Sequence, residues 1–213
     1  MKITKLGHCC LLIEEKGLVI LTDPGAYSTK QSSARGVDIV LITHEHADHL
    51  HVESLKDVLV NNPKAQVVTN ASVGAILEKE GIPYSVIGHG QSMTEKGVEI
   101  AGFGKDHWAM YRTVKPVENT AYFIGKKLFY PGDSCFDPNQ PIDILALPVA
   151  GPWATLTELI EYALKLHPKR AFPVHDGMLI PDRLGPAHGL TQRELAKEGI
   201  DFIVMNEGDQ KDF

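Results

Sequence analysis

Four short apolar runs punctuate the chain, and each stops at a polar or turn-forming cluster. Leu18 to Leu21 leads into Thr22-Asp23-Pro24-Gly25, and Ile39 to Ile42 is followed by Thr43 and the run His44-Glu45-His46-Ala47-Asp48-His49. Leu128-Phe129-Tyr130 leads into Pro131-Gly132-Asp133, and Ala171-Phe172-Pro173-Val174 into His175-Asp176-Gly177. Unbroken apolar runs of this length predict strands buried on both faces, with far ends converging on one edge. Lys2 to Glu15 and Glu95 to Phe103 alternate or run short and apolar, which predicts antiparallel strands.

Helical spacing is clearest from Thr155 to Leu166. Thr155 and Glu158 form a capping box there, and Leu156, Leu159, Ile160, Ala163 and Leu164 make one apolar stripe. Val52 to Asn61, Asn70 to Glu80 with Gly81 as its stop, and Thr191 to Glu198 before Gly199 are further predicted helices. Gly104 to Glu118 and Gly177 to Gly189 carry neither period and read as long functional loops. Strands and helices interleaved in this way predict an α/β chain with mixed sheets.

At 213 residues and 43% hydrophobic, the chain can bury one substantial core, so a single domain over residues 1–213 is expected. A formal net charge of -6 leaves no electrostatic footprint for non-specific binding of nucleic acid or an anionic membrane. Three cysteines, two of them adjacent at Cys9 and Cys10, include no CxxC pair and indicate neither a disulfide framework nor a cysteine zinc finger. No basic segment precedes an apolar signal core, and no apolar run approaches the roughly 20 residues that span a bilayer. The expectation is a cytoplasmic protein without a membrane partner; oligomeric state is not legible.

The run from His44 to His49 changes the picture, because it packs three imidazoles and two carboxylates into six residues. Such a cluster repels itself and desolvates badly unless a cation compensates it, and zinc, manganese or iron would suit these donors. With alternate side chains projecting together, His44 and His46 can grip one ion while Asp48 and His49 reach for a second. The segment cannot close both coordination shells alone, so distant histidines and an acid must complete them.

Thr43-His44-x-His46-x-Asp48-His49 resembles the HxHxDH signature of the metallo-β-lactamase-fold superfamily of metal-dependent hydrolases. Gly7-His8, Thr22-Asp23-Pro24, Pro131-Gly132-Asp133-Ser134, Asp143 to Pro148 and Pro173-Val174-His175 follow in the order seen in the branch containing the ascorbate-phosphate lactonase-like proteins. The resemblance implies a four-layer αββα sandwich of two mixed sheets flanked by helices, with two divalent ions, zinc first, at the sheet edges. It implies that His44, His46 and a third histidine hold one ion, that Asp48, His49 and His175 hold the other, and that Asp133 bridges them. His89 and His107 both fall in the window for the third histidine. His107 is preferred, since it follows the strand-like Val98 to Phe103 at the branch's usual interval before Asp133, whereas His89 sits between two glycines.

Two such ions about 3.5–4 Å apart can share a water and lower its pKa towards neutrality. The expected activity is hydrolysis of an ester-like bond, a lactone or phosphodiester, in a small cytosolic metabolite that is anionic or phosphorylated. Asp48 would orient the nucleophile and accept its proton, and His188, in the late loop, is the candidate donor to the leaving group. Lys105, Arg112 and Arg183 are candidate anion contacts. His8 and Asp23 are candidates for orienting the ligands, and Cys135 is within sequence reach of the site. His51 and His167 read as surface or helix-end residues. Two other readings stand beside this one: an iron-dependent oxidoreductase of the persulfide dioxygenase type, and a metal-binding protein without turnover. His46 argues against the flavin-linked di-iron members, which carry an acid in its place.

Overall fold

In a computed structural model describing residues 1–213 apart from the Pro181 side chain, the apolar runs become strands of two seven-stranded mixed sheets. In chain order the elements are β1 (Lys2–Gly7), β2 (Cys10–Glu15), β3 (Leu18–Thr22), β4 (Ile39–Leu41), α1 (Val52–Asn61), β5 (Gln66–Thr69), α2 (Ala71–Lys79) and β6 (Ser85–Val86). Then come β7 (Ser92–Glu95), β8 (Val98–Phe103), β9 (Ala121–Ile124), β10 (Leu128–Tyr130), β11 (Ile144–Pro148), α3 (Leu156–Leu166), β12 (Arg170–Val174), α4 (Gly185–Lys197), β13 (Asp201–Phe202) and β14 (Gln210–Asp212). The first sheet runs β14-β1-β2-β3-β4-β5-β6 and the second β13-β12-β11-β10-β9-β8-β7.

The period of two along each strand sorts its side chains between layers. In β4, Ile39 and Leu41 join the cluster between the sheets, while Val40 packs with Leu55, Val58, Val73 and Leu77 of α1 and α2. In β10, Leu128 and Tyr130 face inward and Phe129 joins Ile160, Ala163 and Leu195 of α3 and α4. Helices thus cover the outer face of each sheet, giving the αββα order. Parallel pairs β4–β5, β5–β6, β11–β12 and β12–β13 are bridged by α1, α2, α3 and α4, as parallel pairing requires. The capping box at Thr155 and Glu158 starts α3.

The structure departs from the expectation in two respects. Helix α4 begins at Gly185, so the late loop is shorter than predicted. Pro186 sits in the first turn, where a missing N–H costs nothing, and the buried line Ala187, Thr191, Leu195 is too weakly apolar to read. Strands β5, β9 and β14 are among those not anticipated, because β5 and β9 lie inside stretches without clear alternation and β14 is exposed and polar. Among the described residues, no helix is long and apolar enough to cross a membrane.

Candidate metal centre

Strands β3, β4, β10 and β12 end on the same side of the sandwich, and their next residues meet there. Asp23 follows β3, His44 to His49 follow β4, Asp133 follows β10, and His175 follows β12. His8 comes from the β1–β2 turn and His107 from the loop after β8. His8, Asp23 and His175 have φ of 39°, 35° and 60°, a left-handed backbone that costs non-glycine residues roughly 1–3 kcal/mol. At Gly132, φ is 59° and an added Cβ would strike Asn119 and Thr43, so only glycine turns the chain to present Asp133. Asn119 accepts the Asp133 N–H at 3.1 Å and fixes the turn.

Two sets of donors form. His44, His46, His107 and Asp133 present ligand atoms within 4.8 Å of one another, and so do Asp48, His49, Asp133 and His175. Asp133 belongs to both. All but His46 and Asp48 are buried, and Asp48 is the more exposed of the two carboxylates.

The chemistry of these atoms fits a cation. His49 Nε2 lies 3.1 Å from Asp133 Oδ1, and His107 Nε2 and His175 Nε2 lie 3.3 and 3.0 Å from Asp133 Oδ2. None of these buried nitrogens is aligned as a hydrogen-bond donor, nor has Asp133 Oδ1 a partner. Buried polar atoms without partners are rare, and here they face one another. On His49, His107 and His44 the opposite ring nitrogens are engaged, whereas His175 Nδ1 has no partner. His49 Nδ1 meets Asp23 at 2.7 Å, His107 Nδ1 meets the Trp108 carbonyl at 2.6 Å, and His44 Nδ1 meets Thr43 Oγ1 at 3.0 Å. Engaged Nδ1 atoms hold each ring in the tautomer that leaves Nε2 free for a metal.

Electrostatics follow from the crowding. Burial and the neighbouring His49 push His44 well below the usual histidine range, and burial with His107 lowers His46. Burial opposes charge on His175 and His49, but Asp133 outweighs it, raising His175 to about 10 and His49 well above its ordinary value. Asp133 is held well below the carboxylate range against burial, chiefly by His49 and His175. Asp48 is lowered too, by the neighbouring His175 and His8 imidazoles, which outweigh its burial. The carboxylates are thus ionised and balanced by protons on His49 and His175, and a divalent cation would displace those protons. Beneath them Cys9 is brought down to about 6 by His8, His49 and His175, against its burial.

The structure brings His44, His46, Asp48, His49, His107, Asp133 and His175 together. His89 is exposed, accepts the Gly104 N–H through Nδ1, and stays outside both donor sets. His8 Nε2 contacts Asp48 Oδ2 at 3.2 Å, and Asp23 receives His49, Thr43 and Tyr130.

His188 does not fit the role of a free proton donor. Its Nε2 is bound at 2.9 Å to Asp176, which also takes the buried Lys5 ammonium at 2.7 Å, so its ring is part of a buried ion network. Cys135 packs beside the second sheet, and burial raises its thiol to about 12. Lys105, Arg112 and Arg183 are exposed; Lys105 lines a cavity of about 560 Å³ with His107, Trp108 and Phe136. His51 caps α1 and His167 ends α3.

Several supporting residues were missed. Tyr130 carried a signal only as a strand end, and Thr43 only as a neighbour of the cluster. Trp153, edge-on to His107 and His175 at 5.7 and 5.6 Å, carried none.

A family model described as "Beta-lactamase superfamily domain" matches residues 2–175. A protein of Mycobacterium tuberculosis is 32% identical over 212 residues, covering 97% of both chains. A metal-dependent hydrolase of Methanobrevibacter smithii is 27% identical over 237 residues, covering 98% of this chain and 95% of its own. Among solved structures, a metallo hydrolase from Ignicoccus hospitalis superposes with a TM-score of 0.76 at 20% identity, covering 100% of this chain and 98% of that one.

Proposed function

Because the chain belongs to the beta-lactamase superfamily, we propose that it is a metal-dependent hydrolase that cleaves an ester-like bond, a lactone or phosphodiester, in a small molecule. One divalent ion would be held by His44, His46, His107 and Asp133, the other by Asp48, His49, Asp133 and His175. When bound, such ions supply Lewis acidity and lower the pKa of water, with zinc suiting the donors first and manganese or iron also accommodated. The observation that carries this reading is the convergence of unpartnered buried nitrogens on the shared Asp133.

The chain's own residues then divide the work. Asp48, ionised, held by His8 and partly exposed, can orient a water and take its proton. Asp23, Thr43 and the Trp108 carbonyl hold three ligand rings in place. Trp153 walls the centre between the rings of His107 and His175 and keeps bulk water from that side.

The rim narrows the substrate. Nine large apolar side chains are exposed among the described residues, and seven stand in the loops that carry Asp23, His107 and His175, including Tyr27, Trp108, Met110, Tyr111, Met178 and Ile180. Tyr27 touches the His8 ring at 5.4 Å, the Trp108 N–H binds the Asp133 carbonyl, and Met178 follows Gly177, whose N–H binds His8. Isolated exposed apolar residues are ordinary, but their concentration in the loops that leave the centre favours a substrate with an apolar portion.

The test is elemental analysis of protein expressed without added metal, followed by ester, lactone and phosphodiester substrates in the matching ion. Near two ions per chain with turnover is the expected result. One iron per chain with thiol-dependent oxygen uptake would overturn it in favour of an oxidoreductase.

A further inference from the structure

The segment between β8 and β9 holds more order than its sequence suggests. His107 donates its N–H to the Val117 carbonyl at 2.9 Å, Asn119 donates to the Lys105 carbonyl at 3.1 Å, and Asp106 stands opposite Glu118 in an isolated antiparallel bridge. Two short limbs are thus paired at a root, and residues 108–115 form the tip of a hairpin. The Val114 N–H closes a turn on the Tyr111 carbonyl at 2.8 Å, and the Arg112 guanidinium lies 5.6 Å from the Tyr111 ring centre. Every residue of the tip is exposed. Its base is anchored, since Trp108 gives its N–H to the Asp133 carbonyl at 2.7 Å.

The tip mixes apolar bulk with positive charge. Trp108, Met110, Tyr111 and Val114 are 37–57% exposed, and the charged side chains among them are Arg112 and Lys115. No carboxylate lies between Asp106 and Glu118, and Glu118 is turned aside to accept the Ser72 N–H at the start of α2. The tip is therefore cationic on a chain whose formal net charge is -6. Tryptophan and tyrosine suit places where apolar and wet surroundings meet, while arginine and lysine bury their stems and keep their charge in water. Both habits match the headgroup layer of a membrane. A protein partner fits less well, because a stable interface takes about 800 Å² and roughly 20–30 residues a side, more than this tip offers.

We propose that the tip of this hairpin docks on a lipid surface rich in anionic headgroups, with Arg112 and Lys115 among the headgroups and the four apolar side chains at the edge of the acyl layer. The chain as a whole is acidic, so the attraction is confined to the tip and short in range. His107 stands in the root of the same hairpin, so docking carries the metal centre towards the surface. Under the hydrolase reading, the apolar portion of the substrate would come from that surface. Docking itself does not depend on that reading.

Cosedimentation with vesicles of phosphatidylcholine and phosphatidylglycerol in equal parts, against phosphatidylcholine alone, measures docking without turnover. Binding to the mixed vesicles is expected, weak binding to phosphatidylcholine, and a decline as salt is raised. Trp108 is exposed and Trp153 buried, so brominated acyl chains should quench the emission of Trp108, and Trp108→Phe should lose that signal. Arg112→Gln and Lys115→Gln should each lower partition about fivefold. Tyr111→Glu should lower it by at least about tenfold, whereas Val60→Glu, at a 79% exposed position on α1, should leave it unchanged. No binding to the mixed vesicles, binding that survives Tyr111→Glu, or binding without quenching would overturn the proposal. A dimer that Tyr111→Glu disperses, in protein that binds no vesicles, would assign the tip to a second copy and overturn it equally. Metal content and ester turnover of the same preparations judge the hydrolase reading separately.

Discussion

Replacing Asp23 with asparagine keeps the shape of the side chain and removes the charge beneath His49. Asp23 accepts the Thr43 N–H at 2.8 Å, the Thr43 hydroxyl at 2.8 Å and His49 Nδ1 at 2.7 Å, with the Tyr130 hydroxyl at 2.5 Å. All four groups are fully buried, so no water can take the place of a lost partner. Asparagine can still accept the Thr43 N–H through its oxygen. Its NH2 then faces the Thr43 and Tyr130 hydroxyls, which must turn to accept from it and give up their own bonds to the carboxylate, and the His49 N–H, where donor meets donor. A charge-assisted bond is worth about 1.5–3 kcal/mol, so the protein without metal should lose roughly that much stability in denaturant titration. With the tautomer of His49 no longer fixed, affinity for the ion at His49 and His175 should fall 10- to 100-fold, about 1.4–2.7 kcal/mol. Calorimetric zinc titration against a competing chelator measures this, with Asp143→Asn as a control, since Asp143 pairs with Arg170 on the partly exposed side. A folded Asp23→Asn protein whose zinc affinity matched the wild type would refute the idea that this carboxylate tunes the metal centre.

Three further outcomes follow from the same geometry. The Gly25 Cα lies against the Asp48 backbone, so a methyl group would overlap the Asp48 carbonyl; Gly25→Ala should cost about 1–3 kcal/mol in thermal unfolding and reduce bound metal. Asp176 is held below the carboxylate range because His188 and Lys5 outweigh its burial. Its stabilisation is therefore full above the unfolded value near 3.9 and is lost as pH falls through the folded one. Asp176→Asn, which leaves the Lys5 ammonium buried without its partner, should be about 3–5 kcal/mol less stable at neutral pH, with the gap to wild type closing below about pH 4. If the apolar rim holds part of the substrate, kcat/KM on a series of straight-chain esters should rise about threefold to fourfold per methylene until the rim is covered. Met178→Glu should flatten that rise and leave short esters unaffected, and a series without any length dependence would count against the rim.

The sequence pointed to the candidate donors and to the order of layers more sharply than to the bounds of single elements. His44 to His49 is dense enough to declare itself, and Asp133 and His175 could be found because each ends a buried apolar run. His107 was harder, since its loop has no period and His89 lay in the same window; strand β8 delivers His107 beside Asp133, while His89 stays outside both donor sets. His188 misled because helix α4 starts early at Gly185 behind a proline, and what looked like an open loop is a packed helical turn. Tyr130, Thr43 and Asn119 act through contacts between residues far apart in the chain. Asn119 on Asp133 spans a β-hairpin, and Tyr130 on Asp23 joins the two sheets. Neither contact leaves a local pattern to read.

The two sheets contribute unequally and late to the centre. His44, His46, Asp48 and His49 come from the first half of the chain, and His107, Asp133 and His175 from the second. The site therefore exists only where the halves are already pressed together, and a bound ion acts as a rivet through their seam. A rivet set after assembly does nothing to hasten it. It should leave the folding rate nearly unchanged and slow unfolding, supplying about 4 kcal/mol when free metal exceeds its dissociation constant a thousandfold. Stripping the metal would then show itself first as a shorter lifetime of the folded sandwich, before any change in how fast it forms.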